Sequence, residues 1–212
     1  MLRAILAAFS AVFSVADPLG LVPVYLAMTV GYAPARRRRT AVVASAAMFV
    51  TLTVFAAVGP TILHFFGLSL GAFRIAGGCL LFLMAVDMLR AQPALKRTTP
   101  EQLAESQGTD IAIFPLAFPM LAGPGAIANA MMQTAGVETV WQKTAIYVAI
   151  ALASAATLVV LLVASFAERR LGKTGLSVLE RVMGLVLAAV AVQFIVDGIG
   201  EVLPALRVAG AR

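Results

Sequence analysis

Asp17 stands inside an apolar run, in the order Ala16-Asp17-Pro18-Leu19-Gly20 with Pro23 behind it. A carboxylate near the middle of a membrane-spanning segment costs about 2.5–3.5 kcal/mol, so it normally faces a partner or a watery cavity, where it can hold a cation or carry a proton. Ser10 and Ser14 precede it at helical spacing, which places three polar side chains on one face. A local role competes with this one, because Asp before Pro is a common helix cap or turn residue. The two roles are compatible.

A second group of unusual residues lies between Phe114 and Asn129, where an apolar stretch carries Pro115, Pro119, Pro124, Gly123 and Gly125. Each proline lacks an amide donor and pushes the residue before it out of the helical region, so this cannot be one plain helix. Irregular backbone at membrane depth survives only where protein buries it or where it lines a polar cavity. The helix that restarts after Gly125 is expected to offer free amides near Ala126, Ile127 and Ala128, at the positive end of its dipole. A carboxylate is the natural ligand there. Gly123 and Gly125 carry no side chain, which leaves the backbone open to a small molecule. Asn129 and Gln133 put two amides on one face of the same half-helix. With Asp17, Pro18 and Gly20 on one side and Gly123, Pro124, Gly125, Ala126, Ile127 and Asn129 on the other, the expected ligand carries both an ammonium and a carboxylate. Asp17 is also the candidate coupling residue.

The elements that must position these residues are membrane helices. Of 212 residues 61% are hydrophobic and 12% charged, and mean hydropathy is +0.98. Such a composition excludes an ordinary soluble domain. Six apolar stretches, near 2–30, 41–63, 68–89, 111–134, 144–167 and 182–203, are long enough for a core about 30 Å thick. The first and fourth are the broken ones, each near the midplane. Met1 to Ala16 also resembles a secretory signal, but the apolar pattern resumes after Asp17, so it reads as the first span. Three intervening loops, with Arg36 to Arg39, with Arg90, Lys96 and Arg97, and with Arg169, Arg170 and Lys173, hold ten basic residues. Only Arg3, Lys143, Arg207 and Arg212 fall on the other side. The positive-inside rule then puts both termini outside the cytoplasm and makes the Arg36 to Arg39 run a topology anchor. The net charge of +6 is accounted for by these loops, and nucleic acid is not an expected partner.

The breaks also reveal an internal repeat. Ala16 to Gly20 matches Ala122 to Ala126, and Arg74-Ile-Ala-Gly77 matches Arg181-Val-Met-Gly184. Both pairs of landmarks agree on one period. The reading is an all-α polytopic membrane protein, one domain over 1–212. Repeat one covers about 1–90, a linker about 91–110 and repeat two about 111–206. Three spans per repeat turn the second repeat over, and inverted repeats of this kind form midplane sites between discontinuous helices.

Other residue types narrow the chemistry. The sequence has a single cysteine, Cys79, and a single histidine, His64. These counts exclude a disulfide framework and multi-histidine metal sites, and both residues are expected to serve packing. No nucleotide-binding motif or metal-binding helix pattern occurs, so neither a cofactor nor an enzymatic reaction is expected. Transport, if any, must be driven by gradients. Arg74, Arg181, Asp87 and Asp197 are expected at the interfaces as anchors or caps. Gly77, Gly78 and Gly184 are expected to permit close helix packing.

At Asp17-Pro18-Leu19-Gly20 with Pro23, at Phe114-Pro115-Leu116 through Pro119 to Gly123-Pro124-Gly125-Ala126-Ile127, and at Val192-Gln193-Phe194-Ile195 with Asp197-Gly198, the sequence resembles the MarC family of integral membrane proteins. The resemblance covers essentially the whole chain. It implies a six-helix inner-membrane protein, with some relatives described as transporters of small neutral amino acids. The combined expectation is a proton- or ion-coupled secondary transporter of a small zwitterionic solute, in contact with the lipid bilayer and open to homo-oligomerisation. The alternatives are an exporter of amphipathic compounds, which would want a roomy, aromatic-lined cavity, and a membrane protein acting on lipid-linked substrates.

Overall fold

The computed structural model describes residues 2–90, 111–135, 137 and 139–209, and all regular structure among them is helical. The expected linker, with Lys96, Arg97, Glu101, Glu105 and Asp110, lies outside the described residues, as does Arg212. In chain order the elements are α1 (Leu2–Ala16), α2 (Val22–Met28), α3 (Pro34–Phe65), α4 (Leu70–Leu89), α5 (Ala112–Leu121) and α6 (Pro124–Thr134). A last helical run, Val140–Ala209, turns sharply at Gly172 and divides into α7 (Val140–Phe166) and α8 (Thr174–Leu203). Helices α3, α4, α7 and α8 are each long and apolar enough to cross a membrane. Helices α1 and α2, and likewise α5 and α6, are shorter pieces joined by breaks.

The breaks follow from the prolines. Phe114 and Phe118 are extended, with φ −128° and −129°. Each stands before a proline, which disfavours the helical region there. Around them α5 winds loosely, with the Leu116 amide reaching back to Ile111 and the Ala122 amide to Ala117. Gly123, before Pro124, is also extended, and Pro124 opens α6. At that position its missing donor costs nothing. Asp17, before Pro18, takes the left-handed conformation with φ 42°. Asp tolerates that region better than most residues.

Two expected loops are helical instead. α3 begins at Pro34, well before residue 41, so Arg36 to Arg39 occupy its first turns. Pro34 is suited to that start, since its fixed φ is already helical. The segment 168–175 is no open loop either, because only Gly172, with φ 63° and ψ −178°, leaves the helical region. That combination is accessible almost only to glycine.

Both the exterior and the core are apolar, with a few polar residues enclosed. Val50, Val54 and Val58 of α3, Val159 and Val163 of α7, and Val182 and Leu185 of α8 are exposed, whereas Thr40, Ser45, Asn129, Ser154 and Thr157 are buried. Small residues bring α4 and α8 together antiparallel. A side chain on Gly198 would strike the Gly71 carbonyl, one on Gly78 would strike Ala191 and Ile195, and one on Gly184 would strike Met88 and Ala85. Close backbone approach of this kind drives helix association where lipid removes the hydrophobic term. Gly77 packs in the same way against Ala128 of α6. Cys79 and His64, expected as packing residues, are exposed instead, because both fall on helix faces turned away from the core.

Candidate functional site

The two breaks meet at one cavity of about 320 Å³. Asp17 and Gly20 line it from the first break, Met120 and Pro124 from the second, and Asp87 and Met88 from α4. It runs toward the C-terminal end of α4, where Asp87 is exposed. Its size falls at the lower end of the range for small-molecule pockets.

Asp17 does two things at once. Its amide donates to the Phe13 carbonyl at 3.0 Å and so finishes α1. Its Oδ1 accepts from the Gly20 amide at 3.1 Å, closing the turn that leads into α2. Its Oδ2 is buried and has no hydrogen-bond partner in the protein. A buried anionic oxygen without a partner is costly, and a proton or a ligand cation relieves the cost. The turn therefore uses one oxygen of the side chain and leaves the other without a partner. Gly20 is held glycine by the same turn, since a side chain there would strike Asp17 and Met88.

The second half of the expected site is built differently from its sequence reading. The Ile127 amide donates to the Gly123 carbonyl at 2.9 Å, so it is an ordinary intrahelical donor. α6 opens at Pro124, and Gly123 offers no side-chain cap. The amides left over at the first turn therefore belong to Gly125 and Ala126. The free donors lie earlier than expected, because the helix starts at Pro124 and not after Gly125. Nor is Gly125 bare for a ligand. A side chain there would overlap Leu81 of α4, so this glycine serves helix packing. Of the second motif it is Pro124 that reaches the cavity wall. Asn129 is buried with its Nδ2 unpartnered, and it is absent from the cavity lining.

Asp87, which the sequence suggests as an interfacial cap, lines the cavity with Asp17. Glu180 of α8, not singled out by its sequence context, is buried within electrostatic reach of Asp17. The signal for both is an acidic residue within an apolar helix. Asp17 and Asp87 make the otherwise apolar cavity acidic, suited to a ligand with a positive end. Among the described residues no cluster of three or more His, Cys, Asp or Glu is placed to hold a metal ion.

The remaining expected anchors sit away from the cavity. Arg74 pairs with Glu201 at 2.5 Å across α4 and α8, and its Nε approaches the Met132 sulfur of α6 at 3.0 Å. Asp197 accepts from Gln193 one turn earlier on α8, at 2.7 Å. Arg181 is exposed.

Residues 2–203 match the family model described as MarC family integral membrane protein. Among similar proteins, a UPF0056 membrane protein of Methanocaldococcus jannaschii is 42% identical, over 91% of this chain and 94% of that protein. One from Aquifex aeolicus is 34% identical over 92% of both chains, and one from Escherichia coli is 33% identical over 93% of both. No solved structure matches the chain. The apolar exterior, the four membrane-length helices and the two proline breaks all lie within the matched region, and the chain belongs to the MarC family of integral, multi-pass membrane proteins.

Proposed function

We propose that the protein is a secondary transporter of a small zwitterionic solute of the neutral amino acid class, acting across the inner membrane with proton or ion coupling. The single observation behind this reading is the cavity where both helix breaks converge, lined by Asp17, one of whose oxygens is buried without a hydrogen-bond partner. The ligand ammonium faces Asp17 and Asp87. Its carboxylate is directed to the Pro124 start of α6, at the positive end of that helix. A proton on Asp17 is the coupling device.

The proposed architecture is six spans in two inverted repeats, with α1 and α2 forming the first span and α5 and α6 the fourth. The antiparallel course of α4 and α8, the third spans of the two repeats, supports it, as does the recurring order of one broken and two continuous spans. Both termini then lie outside the cytoplasm. On that topology the cavity opens toward the cytoplasmic end of α4, while Arg74, Glu201 and Met132 tie the outer ends of α4, α8 and α6 together. This is the arrangement of an inward-facing state.

One observation favours the exporter reading. The cavity lining includes Met84, Met88 and Met120. Such flexible side chains adapt to varied apolar shapes. An amphipathic cation would fit this acidic, methionine-lined space. Against it, the lining holds no aromatic residue. Counterflow in proteoliposomes with labelled glycine, alanine and serine decides the matter. Saturable exchange of one of them supports the amino acid reading, whereas exchange of an amphipathic cation with none of the three supports the exporter and discards our first choice.

A further inference from the structure

A second pocket, of about 270 Å³, lies where the N-terminal end of α3 meets the C-terminal end of α7. These are opposite ends of two membrane-length helices, so they share one membrane face. Tyr25, Tyr32, Arg37, Arg38 and Ser165 line the pocket together with Leu161 and Leu162. No carboxylate is among its lining residues.

Arg37 departs from the expectation for its run. It is half-buried and turned inward, donating through Nη1 to the Ser165 hydroxyl at 2.7 Å and through Nη2 to the Thr29 carbonyl at 3.0 Å. The fully buried Tyr25 donates its hydroxyl to the Arg37 carbonyl at 2.9 Å and holds that turn in place. All these partners are neutral. The Arg37 Nε is buried without any partner, and no ion pair to Arg37 exists among the described residues. The guanidinium is thus fixed in orientation, has no ionic partner among the described residues, and keeps one buried donor unused. Arg38, beside it, is exposed and makes no hydrogen bond among the described residues. Arg36 stacks over the Tyr32 ring at 4.0 Å and leaves the pocket to the other two.

We infer that Arg37 and Arg38 bind the phosphate of an anionic phospholipid in this pocket. Guanidinium donors match phosphate oxygens in both charge and geometry. Basic pockets between membrane helices at the interface are suited to lipid head groups. The apolar wall selects lipid over a free phosphate, because Leu162 is exposed on the outer face of α7 and continues the pocket toward the acyl chains. The bound lipid compensates Arg37 and links α3 to α7.

The test is native mass spectrometry of the full-length chain in detergent, titrated with dioleoyl phosphatidylglycerol. One lipid per chain should be retained saturably, and Arg38→Gln should weaken retention about tenfold, the loss expected for one hydrogen bond to a charged group. Arg37→Gln should weaken it at least as much, and Arg39→Gln, outside the pocket, should leave it unchanged. Should Arg37→Gln fail to fold, Arg38→Gln decides alone, since Arg38 is exposed and makes no hydrogen bond among the described residues. Wild-type retention in Arg38→Gln overturns the inference. So does equal retention of dioleoyl phosphatidylcholine, which would mean that net head-group charge is not read. Displacement of the lipid by inorganic phosphate reassigns the pocket to a soluble anion and overturns the lipid assignment.

Discussion

Replacing Asp17 separates its turn role from the coupling role proposed for it. In Asp17→Ala the Gly20 amide loses its acceptor in a buried site. That loss costs about 1–3 kcal/mol. Alanine must also adopt the left-handed backbone that Asp17 holds. The strain adds about 1–2 kcal/mol. The sum, about 2–5 kcal/mol, is large against the marginal stability of any fold. Asp17→Asn is different. It keeps an oxygen for Gly20 and tolerates the left-handed backbone, so it should unfold within about 1 kcal/mol of the wild type. What it cannot do is ionise. The proposed coupling role therefore predicts that Asp17→Asn, at matched protein levels in proteoliposomes, loses accumulation driven by a proton gradient while keeping substrate exchange. Denaturant titration of the purified variants measures the stability half, and gradient-driven uptake beside counterflow measures the other. Normal accumulation in Asp17→Asn would remove the carboxylate from the mechanism. Equal destabilisation of the Ala and Asn variants would refute the separation of the two roles.

Three further outcomes are expected. A side chain at Gly125 would overlap Leu81. Gly125→Ala should therefore destabilise by about 1–3 kcal/mol through overpacking, and Leu81→Ala should offset part of that loss; strictly additive effects in thermal unfolding would show that the two positions do not meet. The Arg74 and Glu201 side chains are 26% and 39% exposed. A double-mutant cycle with glutamine should accordingly return a coupling of only about 0.2–1 kcal/mol, weakened by salt. A coupling of zero at low salt would leave the outer ends of α4 and α8 without their proposed tie. Cysteines introduced at 36–39 and 169–173 should react only from the cytoplasmic side, and a tag after residue 209 only from outside; a cytoplasmic C-terminus would break the count of six spans.

Membrane class and the positions of the breaks were legible in the chain itself. Apolar length is a sum over neighbours, and a proline acts on its own φ and on the residue before it. Phe114, Phe118 and Gly123 could thus be expected out of the helix without knowing what surrounds them. Gly77, Gly78 and Gly184 were legible as packing glycines, since a missing side chain in a membrane helix marks close approach wherever the partner lies, whereas the contact of Gly71 with Gly198 was not. Which way a residue faces was not legible. α3 starts at Pro34, ahead of its apolar stretch at 41–63, and that start puts Arg37 on a helix, turned in toward Ser165. α6 starts at Pro124, which gives the Ile127 amide an acceptor and lays Gly125 against Leu81. Asp87 reaches the cavity because α4, packed against α8 and α6, brings it beside both breaks. Local covalent constraints travel with the residue, whereas azimuth and partner are set by how whole helices pack, and it is the packing that brings Asp17, Pro124 and Asp87 around one space.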